Sequence, residues 1–253
     1  MVNLKRDIDN FTSGTAQPQL PIKDLSTLEI SLPPLEEQRR IAEILSSLDD
    51  KIDLLHKQNK TLESLARLLF RHHFIDNAKS EWQIGKLGDY VRIVYGKNLP
   101  TKNLLNSGYP VFGGNGQIGY FDKFLYKEPQ VLVSCRGEAS GKVNISYKES
   151  YITNNSLILE RSKDKDISFV YLKYFCLSQD FSLFVSGSAQ PQITIQSLQD
   201  ATFIKPNIKD IQYFSQIVSS FETKQDNNSQ QILKLEKMRD IILPRLLSGE
   251  VRV

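Results

Sequence analysis

The sequence predicts an α+β chain: one mixed α/β domain with a glycine-rich β core, flanked by two long helices that form an antiparallel coiled coil. Three observations predict it. One long segment occurs twice. Each copy ends in a heptad-patterned run. Between the copies the texture changes to short apolar runs cut by turn residues.

The repeat opens on SGTAQPQL (Ser13–Leu20), which returns 173 residues later as SGSAQPQI (Ser186–Ile193). From Phe11 to Phe74 the shifted alignment needs no gap and gives 18 identities in 64 positions. The octet is not helical in character, so chance likeness of two helices does not explain the match. Two copies around a unique insert are too few for a solenoid and point to a pseudo-twofold design. Each copy starts as a loop and a short strand. Gly14 and Gly187 allow a positive φ, and Pro18 and Pro191 stiffen the turn. Leu20 and Ile22, like Ile193 and Ile195, alternate as a half-buried strand does.

A helix follows at LPPLEEQRRIAEIL, with Pro34 near its first turn and Glu36 and Glu37 at the positive end of its dipole. Its seam reads Ile41, Leu45, Leu48, Ile52, Leu55, Asn59, Leu62, Ala66, Leu69, in alternating steps of four and three. That is an a/d pattern, with a lone Asn59 at an a position where a buried amide fixes register. In the second helix Phe214, Val218, Phe221, Ile232, Leu235 and Ile242 keep the pattern, while Gln225, Asn228 and Arg239 break it. The helix–helix interface is therefore expected at Ile41, Leu45, Leu48, Ile52, Leu55, Asn59, Leu62, Leu69, Val218, Phe221, Ile232, Leu235 and Ile242. Some 36 helical residues span ~54 Å, the length of a spacer.

Between the repeats, YVRIVY, QVLVSC and YITNNSLILE read as strands, and Ile167 to Val185 as a helix. Glycines cluster at 108, 113, 114, 116 and 119, and again at 137 and 141. Neither run is a P-loop or a dinucleotide fingerprint. Two readings stay open: hairpin turns, or loops that enter a DNA groove. In the second, Asn115, Gln117, Arg136 and Lys142 supply donors and Tyr120 a stacking or packing group, since Asn and Gln pair with adenine and Arg with guanine. Lys97, Lys123 and Ser140 complete the candidate DNA-binding set.

Several classes are disfavoured. With 32 Lys+Arg against 29 Asp+Glu, overall charge argues for no polyanionic partner. Locally, nine Lys/Arg face four Asp/Glu between Lys86 and Lys148. Cys135 and Cys176 form no CxxC pair, so no zinc site and no secreted scaffold is expected. No apolar run is long enough for a membrane span, and no signal-peptide core opens the chain; a cytoplasmic protein is expected. His56, His72 and His73 all fall in the first repeat helix and are unmatched in the second. Asp49–Lys51 and Glu222–Lys224 share one mid-helix repeat position, so they belong to its surface pattern and not to a nuclease site. No self-sufficient catalytic set emerges.

Taken in order, SGTAQPQLPIKDLSTLEISLPPLEEQRRIAEILSSLDDKIDLL, its copy from Ser186, and YPVFGGNGQIGYFDKFLY…VLVSCRGEASGKV…TNNSLIL resemble the specificity (S) subunits of type I restriction-modification systems, over essentially the whole chain. The resemblance implies target-recognition domains that each read half of a bipartite double-stranded DNA target, and helices packed antiparallel as a ruler. It implies methyltransferase (M) subunits that hold S-adenosylmethionine, restriction (R) subunits that cleave, and an S chain without cofactor, metal or chemistry of its own. The segments are then residues 1–34, the tail of a preceding recognition domain; 35–76, a spacer helix; 77–206, a complete recognition domain; and 207–253, a second spacer helix. One recognition domain with two helices departs from the family pattern and makes a homodimer possible. It also leaves open a truncated interaction protein, or recombination cassette, that binds the M subunit without directing methylation.

Overall fold

The computed structural model describes residues 22–26, 33–187 and 190–251. The first octet, with Leu20, lies outside them, as does most of the expected tail at 1–34.

In chain order the elements are α1 (Ile22–Leu25), α2 (Leu35–Arg71) running into a π-turn (His72–Asp76), β1 (Gln83–Lys86), α3 (Leu87–Tyr90), β2 (Arg92–Tyr95), β3 (Tyr109–Gly113) and β4 (Gly116–Phe121). Then follow β5 (Val131–Ser134), β6 (Val143–Ile145), β7 (Tyr151–Ile152), β8 (Ser156–Glu160), α4 (Phe169–Ser178), α5 (Ile195–Gln199), β9 (Thr202–Lys205) and α6 (Ile208–Leu247). The expected strand at Ile22 is instead the short helix α1. At Ile193 and Ile195 the second expected strand is also absent. Thr194 takes the N-cap position, its hydroxyl accepting from Ser197 N at 3.1 Å, and α5 begins at Ile195. A Thr three residues before a Ser that can return the bond is a capping signal, and it outweighs two alternating isoleucines.

The chain divides into two compact units, Lys60–Lys224 and a second built from Met1–Asn59 with Gln225–Val253. The larger holds every strand among the described residues. One sheet is antiparallel, in the order β2-β8-β5-β6; a second runs β4-β3-β7, with β7 parallel to β3; β1 pairs with β9. YITNNSLILE thus supplies two strands to two different sheets. The β1–β9 pair joins Gln83 to Lys205, so the chain enters and leaves the strand-bearing region side by side.

The core of this unit is aromatic. Ser168 caps α4, its hydroxyl accepting from Tyr171 N at 3.0 Å. The helix is apolar nearly all round, and Val170, Tyr171, Leu172, Tyr174, Phe175 and Cys176 are buried. A helix like that must be covered on several sides. Strands β5 and β8 cover it with Val131, Val133, Leu157 and Leu159, and the long helices with Phe70, Phe74, Ile211, Phe214 and Val218. Phe74 meets Tyr171 at 4.9 Å and Phe214 at 5.2 Å, both edge-on, the arrangement favoured by ring quadrupoles.

Of the expected helix–helix residues, Leu69, Val218 and Phe221 lie with this core; Leu62 is half-buried. In the smaller unit Ile52, Leu55 and Ile232 form a buried cluster with Leu235 against it. Ile41 is buried, and Leu45, Leu48 and Ile242 are half-buried. The two helix segments run in opposite directions there: Asp49 bonds Arg239 at 2.9 Å, and Asn59 bonds Asn228 at 2.9 Å. The residues that interrupt the heptads are paired. Asn228 is 1% exposed and donates to Asn59 Oδ1 and to Gln58 Oε1. Gln225 donates to the Asn59 carbonyl at 2.9 Å. Asn59 is therefore not a lone amide, as the first helix read by itself implies, but half of a polar layer whose donors match only in this register.

Two outcomes follow. Phe214→Ala removes a ring at 1% exposure and should cost about 3–5 kcal/mol, read from urea unfolding. Asn228→Leu should keep or raise stability by about 1 kcal/mol while releasing register, seen as mixed masses by light scattering; one uniform, less stable species would contradict this.

Candidate nucleic-acid interface

The glycine-rich runs form two hairpin loops. Strands β3 and β4 pair from Tyr109↔Phe121 to Gly113↔Gly116, so Gly114 and Asn115 make the tip. Strands β5 and β6 are joined by CRGEASGK, residues 135–142. Its base is closed by Ser134 N to the Lys142 carbonyl and Gly141 N to the Ser134 carbonyl, both at 2.9 Å. Gly141 sits at φ +92°, and a Cβ there would lie 2.7 Å from the backbone nitrogen of Ser182. Only glycine permits both that φ and that approach.

The two loops are joined. Lys142 Nζ donates to Asn115 Oδ1 at 2.5 Å. Asn144 Nδ2 donates to the Gly114 carbonyl at 3.2 Å, and the hydroxyls of Ser134 and Ser156 donate to the carbonyls of Gly114 and Gly113. Ser134 and Ser156 are fully buried, so these bonds satisfy groups that water cannot reach. They hold the hairpin tip down while Asn115, Gln117, Arg136 and Lys142 stay exposed. Ser140 is half-buried and donates to the Pro191 carbonyl at 3.1 Å.

Three candidates are not joined to this group by any contact among the described residues. Tyr120 is half-buried at the far end of β4, exchanging backbone bonds with Leu105; four residues along a strand put it ~13 Å from the Gly116 end. Lys123 is exposed beyond β4. Lys97 is exposed, its amide donating to the Ile152 carbonyl at 2.9 Å.

A third segment belongs to the group and was missing from the sequence-derived set: the second octet. Ser186 and Gln192 exchange backbone bonds at 2.9 Å. Gln192 bridges Arg136, Gly137 N donates to the Pro191 carbonyl at 3.0 Å, and Ile193 N donates to the Cys135 carbonyl at 3.0 Å. The repeat marked this segment; nothing local in it named its neighbour.

Burial pushes the thiols of Cys135 and Cys176 up, away from the reactive thiolate. Among the described residues no His, Cys, Asp and Glu group has the spacing of a metal site, and no helix is long and apolar enough to cross a membrane. What the arrangement offers is exposed amide, guanidinium and ammonium groups on two braced loops, a donor chemistry suited to base edges and phosphates.

Comparisons with known proteins place the chain in a family. The family model described as type I restriction modification DNA specificity domain matches residues 1–64 and 79–237. The type I restriction enzyme MjaIX specificity subunit of Methanocaldococcus jannaschii is 28% identical over 97% of this chain, which spans 66% of that relative's length. The HindI specificity subunit of Haemophilus influenzae is 23% identical over 94% of this chain and 72% of its own. Among solved structures, the type I restriction-modification S subunit from M. genitalium shares the fold, with a TM-score of 0.62 at 23% identity over 96% of this chain and 69% of that one.

Gly141→Ala should cost more than the about 1–2 kcal/mol of a left-handed φ alone, because the new Cβ also meets backbone; a urea midpoint shift no larger than that would show that the approach to Ser182 is readily relieved.

Proposed function

The chain belongs to the type I restriction modification DNA specificity domain family, and we propose that it is a non-catalytic subunit that reads one half of a bipartite double-stranded DNA target. It recruits methyltransferase subunits, which carry S-adenosylmethionine and the chemistry, and through them restriction subunits, and it works in the cytoplasm. The observation that carries this reading is the bracing of the Asn115 tip and the Arg136–Lys142 loop by buried serines and Asn144. Reading bases requires donors at fixed positions, and a loop free to wander would lose its selectivity to ordering entropy.

The donors divide by role. Asn115 and Arg136 on the braced loops, with Gln117 on the adjoining strand β4, contact base edges. Lys97 and Lys123 lie apart and meet phosphates. Lys142 is tied to Asn115, so its charge orients that amide as well as attracting the backbone. The long helices act as the spacer, packed as an antiparallel coiled coil through the Ile52, Leu55 and Ile232 seam. Two copies of the chain, each with one recognition domain, would present identical readers to inverted half-sites.

Methylation mapping in cells that express this chain with its methyltransferase should return a bipartite motif, palindromic when two copies assemble. An asymmetric motif rules out the symmetric dimer. Stable methyltransferase binding with no modified motif favours an interaction protein over a reader. In binding assays Arg136→Ala should cost about 1–3 kcal/mol on the target alone. Lys97→Ala and Lys123→Ala should each weaken all sequences alike and reduce the salt slope by about one.

A further inference from the structure

We propose that the segment Pro191–Ile193, tied back to Ser186 through Gln192, is a clasp that sets the conformation of the Arg136–Lys142 loop, with the Pro191 carbonyl as its fixed point. The inference rests on the DNA-reading role given to that loop, and adds a positioning element that makes no contact with DNA.

The geometry points inward to the loop from one atom. The Pro191 carbonyl accepts from Gly137 N at 3.0 Å and from Ser140 Oγ at 3.1 Å. These two donors flank the loop's crest, so one acceptor gathers both sides. Ser140 N also donates to the Gly137 carbonyl at 3.0 Å, which closes the crest on itself. Ile193 N and the Arg136–Gln192 bridge extend the contact as a short strand along Cys135 and Arg136. The Arg136 side chain is left exposed and donates no hydrogen bond among the described residues.

Two positions beside these contacts are constrained. Pro191 has a fixed φ, and Gly187 stands at φ +88° where an added Cβ would meet the Gln190 carbonyl at 2.8 Å. Only glycine fits there. A second observation is independent of the structure. The residues that build the clasp, Ser186, Gly187, Gln190, Pro191 and Gln192, recur as Ser13, Gly14, Gln17, Pro18 and Gln19. The octet that supplies these residues thus occurs in both copies of the repeat.

Gly187→Ala strains the clasp from outside the reading loop, Ser140→Ala deletes one bond to Pro191, and Ser140→Thr keeps the hydroxyl. Hydrogen exchange on the intact free chain reads the clasp without DNA. The peptide carrying Gly137 to Lys142 should exchange about tenfold faster in Gly187→Ala and Ser140→Ala, and near the original rate in Ser140→Thr, while α4 stays protected. Selection from a random-sequence duplex pool, by the chain with its methyltransferase, reads the consequence: both weakened variants should lose about fivefold or more of sequence preference, restored by Ser140→Thr. Unchanged exchange in both overturns the clasp. Faster exchange with full preference overturns its part in reading. A pool that the unsubstituted chain leaves unenriched overturns the DNA-reading role itself, and with it the positioning role, whereas the exchange result still stands on its own.

Discussion

The larger unit depends on one constraint: a nearly all-apolar helix, Phe169–Ser178, has to be covered from several sides at once. Strands β5 and β8 cover one side, and the ends of the two long helices cover another through Phe70, Phe74 and Phe214. The last turns of α2 and the first turns of α6 are consequently part of the core of the strand-bearing unit. The same β5 that packs on this helix leads directly into the Arg136–Lys142 loop, and Ser134 at its end braces the neighbouring hairpin tip. Burial of an aromatic cluster is therefore the source of rigidity at the donors, two steps removed along the chain. Each ring pair adds about 0.5–1.5 kcal/mol beyond its buried area, and these rings share partners, so the region loosens together or not at all.

How much of this was legible in sequence depended on the range of the interaction. The seam from Ile41 to Leu69 follows from spacing within one helix, and every position on it is buried or half-buried. The second helix looked weaker because Gln225, Asn228 and Arg239 are polar. Their partners, Asn59, Gln58 and Asp49, lie well over 150 positions away in sequence, and no periodicity can reveal a match at that distance. Strand positions were legible from apolar runs, but sheet membership was not. Tyr151 and Ser156 stand five residues apart and enter different sheets. The short strand assigned at Ile193 and Ile195 failed because two alternating isoleucines are a weak signal beside a Thr–Ser cap.

The site was read with a similar asymmetry. Exposed donors on glycine-rich loops can be found from residue type, and Asn115, Arg136, Ser140 and Lys142 do come together. Tyr120, Lys97 and Lys123 were selected by the same rule and lie apart from them, because residue type carries no distance. The groups that make the loops rigid, Ser134, Asn144 and Ser156, are ordinary polar residues in strands. Only burial gives them meaning, since a hydroxyl shielded from water must find an acceptor and here finds the hairpin backbone.

The octet shows why a segment can be repeated while the region it serves is not. It contains no Lys or Arg, so it is ill suited to hold phosphate. Its bonds to the Arg136 loop are, with the exception of Ser140 Oγ, backbone to backbone. A carbonyl accepts from any amide, whatever side chain stands on that residue. A clasp made this way tolerates free change at exposed positions such as Arg136 and Glu138 while fixing the path of the chain beneath them. Substitution on the crest can then leave the backbone bonds beneath it in place.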